Sequence, residues 1–235
     1  MTPRPIEKRR DDIFFTGMIL WILAMVFIGF AHTYYMAGIF HAQLPSPLVH
    51  VHGAIFTCWL LLLLAQVTLV SAGRLNWHMR LGIFGMVLAG LMVIVGFMTL
   101  VAALRRHANF GMGTESLFAV DVLQLSCFAV LIFWAFWVRT DGAAHKRLII
   151  LATASLMGPA LSRWPFDFVF SSDFAFYGML DSFLILMILY DLWSLRKIHR
   201  ATIWGSLLIV ATQYAVHPLG HAAFWHRFTA WVVNS

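Results

Sequence analysis

Apolar runs long enough to cross lipid hydrocarbon alternate along this chain with short polar breaks. A hydrocarbon core about 30 Å thick takes roughly 20 helical residues rising ~1.5 Å each. Seven runs approach that length: Ile13 to Ala31, Leu48 to Val70, Leu81 to Leu104, Ser116 to Val138, Leu148 to Leu161, Phe174 to Leu195 and Ile203 to His221. The fifth is short, and counting it from His145 to Arg163 brings it to spanning length. Pro159 within it lacks a backbone N–H and strains the preceding turn, which predicts a kink at Gly158-Pro159. The first run follows a basic stretch, as a signal peptide would. Its length, and the lack of a small-residue cleavage site after Ala31, predict a retained anchor. No linker or long polar insert interrupts the series, and the loops are too small to fold alone. The expected fold is all-α, a seven-transmembrane-helix bundle forming one integral membrane domain over residues 1–235.

Composition agrees. With 61% hydrophobic and 11% charged residues, the chain is no ordinary water-soluble domain. A charge of +6 would ordinarily suggest nucleic acid, but its distribution points elsewhere. With Met1 in the cytoplasm, that side holds 12 of the 16 basic residues, and only Arg105, Arg106, Arg163 and Arg227 fall outside. This is the positive-inside asymmetry, so the expectation is a cytoplasmic amino terminus and a periplasmic carboxyl terminus in a bacterial inner membrane. The lipid bilayer is the implied partner, with other membrane subunits as further candidates and no nucleic acid. Trp77, Trp137, Trp164, Trp193, Trp204, Trp225 and Trp231 sit near segment ends, where an interfacial aromatic belt would place them. Cys58 and Cys127 lie inside apolar runs, so neither a disulfide scaffold nor a CxxC pair is available.

The polar residues inside the runs are unevenly placed. In that orientation eight histidines (His32, His41, His50, His52, His107, His217, His221 and His226) fall toward the outer side and three (His78, His145 and His199) toward the inner. Asp121 and Asp181 lie six or seven residues inside the outer ends of the fourth and sixth runs, ~9 to 11 Å deep. An ionised carboxylate in hydrocarbon costs at least ~2.5 kcal/mol, so both should face inward and find partners among the histidines, Arg163 or water. In the seventh run Gln213, His217 and His221 are spaced i, i+4, i+8, a stripe drifting by ~40° per step, and Pro218 bends it. Thr114, Asp121 and Gln124 share a face of the fourth. His50 and His52 are ~200° apart, so only one can point inward, and His52 is the deeper. Such a layer is either a packing network that glues helices or a metal, haem or proton-handling site.

On the inner side the order His-x-Arg-Leu occurs twice, in Trp77-His78-Met79-Arg80-Leu81-Gly82 and in His145-Lys146-Arg147-Leu148. Cations at helix amino termini oppose the helix dipole. Anionic headgroups account for them, and a sharper reading makes His78 and His145 axial ligands of one b-type haem, which requires the third and fifth helices to be neighbours.

The stretch His50-Val51-His52-Gly53, Gly73-Arg74 and Trp77 to Gly82 resembles, over about residues 50 to 96, the helix 2 to helix 3 segment of transmembrane b-type cytochromes of the ascorbate-reducible dihaem kind. That resemblance implies ligands pairing helix 2 with 4 and helix 3 with 5. It places His52, His78 and His145 in ligand positions, while helix 4 holds Asp121 and no histidine, so a single haem is what it supports. Asp181, Tyr190-Asp191-Leu192, His199-Arg200-Ala201-Thr202 and His217-Pro218 are similar to a group of bacterial polytopic membrane proteins, which implies topology and no activity. Seven helices, a helix 2 histidine and His217-x-x-x-His221 resemble the membrane zinc hydrolases of the alkaline ceramidase and adiponectin-receptor kind. Their pattern implies a zinc triad of His52, His217 and His221, with Asp121 or Asp181 as catalytic base or as the carboxylate that orients a ligand.

The expected function is therefore a haem- or metal-binding membrane protein with a redox or accessory role in a respiratory membrane. The alternatives are a zinc-dependent lipid hydrolase, or a non-catalytic, transporter-like subunit whose polar groups organise packing.

Overall fold

The computed structural model describes residues 5–43, 46–108 and 113–234. Among them all regular structure is helical: α1 (Pro5–Phe30) with a wider π turn over Ala31–Tyr35, α2 (Pro47–Ser71), α3 (Leu75–Arg105), α4 (Thr114–Trp137), α5 (Gly142–Ala154), α6 (Gly158–Leu161), α7 (Asp173–Leu180), α8 (Ser182–Leu195), α9 (Arg200–Gly220) and α10 (Ala223–Asn234), with a 3-10 turn at Asp167–Phe170. Four helical stretches are long and apolar enough to cross a membrane: Arg9–Tyr35, Pro47–Ser71, Leu75–Arg105 and Thr114–Trp137. The pair Phe174–Leu180 and Ser182–Leu195, bent by 52°, makes a fifth if taken as one span.

The remaining two apolar runs fall outside that set for visible reasons. The fifth breaks outright instead of kinking. Pro159 has no N–H to continue α5, so the chain turns through Ser155–Met157 and restarts as α6 with the proline in its first turn, where a missing donor costs least. Ser155 Oγ donates to the Ala152 carbonyl at 2.7 Å at the break. The seventh run becomes α9, which carries Thr202, Ser206, Thr212, Gln213 and His217 among its apolar residues. Beyond it lies α10, which the apolar pattern did not foretell because only one face is buried, through Trp225, Thr229 and Val232.

Packing follows chain order for the first helices, α1 on α2, α2 on α3, α3 on α4 and α4 on α5, after which α9 returns against α4 and α5. The centre is filled by Ile22, Met25, Phe128, Leu131, Leu148, Leu151, Leu161, Phe183 and Met187. Trp59 on α2 donates to Thr153 Oγ1 on α5 at 3.2 Å, and Trp164 donates to the Met25 carbonyl at 3.0 Å. The α2–α3 turn closes in three residues because Gly73 adopts φ +72°, a conformation that a β-carbon disfavours. At Gly29 a β-carbon would sit 2.1 Å from the Ala160 carbonyl oxygen, so glycine alone permits α1 and α6 to cross that closely.

The bundle has two ends. One, called proximal here, holds the starts of α1, α3 and α5 and the α8–α9 turn; the distal end holds their opposite termini and α10.

Candidate functional site

At the proximal end α3 begins at Leu75 and α5 at Gly142, so His78 and His145 both lie in first turns. Their rings come together, with centroids 6.5 Å apart and planes at 85°. His145 Nδ1 faces the Ala135 carbonyl at 2.8 Å. A carbonyl only accepts, so Nδ1 carries the proton and Nε2 keeps its lone pair. On the other side Gln66 of α2 lies against His78. With its amide nitrogen turned toward the ring, it reaches His78 Nδ1 at 2.7 Å and the His78 carbonyl at 3.2 Å, and its oxygen accepts from Gly82 N–H at 3.1 Å.

Beside this pair is a fully buried ion pair. Arg147 and Asp191 have side chains 2% and 0% exposed, with Arg147 Nε and Nη2 donating to Asp191 Oδ1 at 2.9 and 2.6 Å. Arg147 Nη1 donates to the Ala143 carbonyl at 2.8 Å, while Asp191 Oδ2 accepts from Thr202 Oγ1 at 2.6 Å and from the His199 N–H at 3.0 Å. The carboxylate thus joins α5, α8 and the start of α9. His199 Nδ1 accepts from Ala201 N–H and caps α9. Burial and then the Arg147 charge push the His199 imidazole below its ordinary value, which keeps that nitrogen an acceptor. Next to it Asp11 pairs with Lys146 and accepts a hydrogen bond from the Tyr190 hydroxyl, and Tyr190 stacks on Phe14 at 3.8 Å.

Of this network the sequence pointed to His78 and His145 alone. Arg147 reads as one of the cations that anionic headgroups draw to a helix amino terminus, and Asp191 lies one turn from the end of an apolar run. The available signal was a lone acid and a lone arginine, each inside a helix at the same end.

The distal polar residues fall into three places. Asp121 on α4 and Arg163 after α6 are electrostatic partners, and His52 on α2 feels the same arginine. The Arg163 guanidinium lies 5.0 Å over the Phe30 ring and donates to the Pro159 carbonyl at 2.5 Å. His52 stacks on Phe56 at 4.1 Å, and its Nδ1 is buried with no hydrogen-bond partner. Asp181 lies apart, at the bend between α7 and α8, accepting from Gln213 Nε2 at 2.9 Å. His217 and His221 contact each other at 4.6 Å and are exposed.

The single shared pocket that the sequence suggested is thus divided, and the histidines of the zinc triad are not brought together. Among the described residues no three His, Cys, Asp or Glu side chains gather as a metal-binding group. The cause is helical drift. The buried side of α9 runs through Thr202, Ser206 and Ile209, and steps of four rotate ~40° each. Gln213 still faces inward, but His217 and His221 have turned away.

Comparison with known proteins adds no relative: no protein-family model, no curated protein and no solved structure matches the chain.

Proposed function

We propose that this is a multi-pass inner-membrane protein in which His78 and His145 hold a b-type haem for one-electron chemistry, in a redox or accessory role within a respiratory membrane. The observation that carries this reading is the pairing of the two imidazoles. Two imidazoles with ring centres 6.5 Å apart, one from α3 and one from α5, are the two side chains that would hold the iron. The Ala135 carbonyl gives His145 the tautomer and orientation that ligating imidazoles ordinarily have. With no third His, Cys, Asp or Glu beside the pair among the described residues, a protein-only metal site lacks ligands. A macrocycle bringing four nitrogens of its own fits a donor set of two. When bound, haem would supply reversible one-electron transfer. The chain's own contribution is to fix the His145 imidazole through Ala135 and to brace α5 through Arg147 and Asp191; the Gln66 amide donates to His78 Nδ1 and keeps the proton on Nε2, so His78 would take iron only once Gln66 turns away and that proton moves to Nδ1.

The accompanying topology is seven crossings: α1, α2, α3, α4, the α5–α6 pair, the α7–α8 pair and α9. The amino terminus and the proximal end are cytoplasmic and the carboxyl terminus periplasmic, an orientation supported by the charge asymmetry.

The test is a visible spectrum of protein purified from haem-replete cells. A Soret band, lost in His78→Ala and in His145→Ala but kept in His217→Ala, is the expected result. A colourless, iron-free wild-type preparation overturns the proposal.

A further inference from the structure

A different site, independent of the haem reading, lies at the distal end around Asp121. Between the distal ends of α3 and α4 is a space of about 10 Å³, bounded by Ala103, Leu104, Ala108, Thr114, Phe118 and Asp121. That is about the room one water molecule occupies. Among the described residues Thr114 and Asp121 are its only polar side chains, and seven residues, two helical turns, put them on one face of α4. Asp121 also meets the charge of Arg163, which acts on His52 as well. The water-sized space thus adjoins a carboxyl under the influence of one arginine, and His52 Nδ1 is buried without a hydrogen-bond partner.

The end of the chain covers this site. Trp225 and Val232 of α10 pack with Leu104 and Phe118, which bound the space. Helix α10 is fastened at three points: Arg105 Nε donates to the Val232 carbonyl at 3.1 Å, Trp225 Nε1 donates to the Glu115 carbonyl at 3.0 Å, and His226 pairs with the Glu115 carboxylate. Arg105 is thus engaged with backbone and His226 with Glu115, while His217 and His221 of α9, which packs on α4, are exposed; among the described residues none of these groups lines the space. Asp181 is engaged with Gln213. The charge that acts on Asp121 is that of Arg163.

We infer that Asp121 is a proton-exchange site served by water from the distal face through the space beside Thr114. In the uptake step a hydronium at that face gives its proton through the enclosed water to an Asp121 carboxylate oxygen, leaving water behind, and no electrons move. Protonation removes the Asp121 charge that acts on Arg163. Release runs the same steps backward.

The experiment uses the full chain in phosphatidylcholine vesicles, with accessibility of a carboxyl-terminal tag to added protease reporting which side carries α10. Infrared difference spectra are recorded while the pH on one side is stepped down. The expected result is a protonated-carboxyl C=O band that grows on acidification of the α10 side, shifts when that side is exchanged into D₂O, disappears in Asp121→Asn and persists in Asp181→Asn. Asp121→Glu, which keeps a carboxyl and stands in should the asparagine variant fail to fold, should shift the band. Ala103→Val, narrowing the space, should slow its D₂O shift. A band unchanged in Asp121→Asn or Asp121→Glu, a band that answers only to the opposite side, or no band at all overturns the inference. Haem content plays no part in this readout, so the two proposals stand or fall separately.

Discussion

The two ends of the bundle treat buried charge in opposite ways. At the proximal end every polar atom of the Arg147–Asp191 pair engaged with the other elements has a partner at 2.6 to 3.0 Å, and those partners come from α5, α8, the α8–α9 turn and α9. At the distal end Asp121 shares one arginine with His52, one imidazole nitrogen is buried without a partner, and a water-sized space adjoins the carboxyl. A saturated network fixes one arrangement, because any movement strands a charge in low dielectric. A sparse one leaves a second arrangement within reach. The proximal network therefore holds the helices in place, and the distal group has the freedom that proton exchange requires.

The largest effect should come from breaking the saturated pair. Asp191→Ala leaves Arg147 buried without its counter-charge and should cost about 3–5 kcal/mol, seen as loss of protease resistance and a lowered unfolding temperature in detergent. Replacing both residues by apolar ones (Arg147→Met with Asp191→Leu) should recover most of that loss; failure to recover would mean the pair does more than brace the helices. Next is the distal backbone crossing: Gly29→Ala places a methyl 2.1 Å from the Ala160 carbonyl and should cost about 1–3 kcal/mol, whereas Gly17→Ala, with nothing within 4 Å, should be silent. Equal effects in those two variants would contradict the crossing. Gln213→Leu removes the hydrogen-bond donor to Asp181 and should cost about 0.6–1.7 kcal/mol, the range of single interhelical hydrogen bonds in membranes. The smallest effect is a pH dependence. The folded-state value of His199 is lowered, so the unfolded chain binds the extra proton first. The cap's contribution is whole above the ordinary imidazole value of about 6.5 and is lost as pH falls through the lowered one. Unfolding temperatures should decline over that acid window in the wild type and less in His199→Asn, which keeps a side-chain oxygen able to cap.

Some of this was legible in the chain. Runs of apolar residues gave the helices, Pro159 marked the interruption in the fifth, and the depth of Asp121 inside its run marked it as a group in need of a partner, with Arg163 among those named. Burial cost carries such inferences, since a carboxylate inside an apolar segment must find a cation or water wherever the helices lie. Asp191 obeys the same rule but lies so near its helix end that interfacial water was as good an explanation as a buried arginine. Helix α10 was illegible for another reason: most of its residues are exposed, and its Trp and Phe residues match an aromatic belt.

What the sequence determined by itself, then, is where the chain is apolar long enough to be helical in lipid, and which polar residues are expensive there. Hydropathy and helical rise are local, additive properties that one chain segment carries without its neighbours. Which expensive residues meet was decided by tertiary structure. His78 and His145 are 67 positions apart. Arg147 and Asp191 are 44 apart, and their contact depends on how far each helix is rotated and which helix lies beside it. Those choices come from the packing of small and large side chains over the whole bundle, and a rotation of ~40° suffices to turn a histidine from the interior to the surface, as His217 shows.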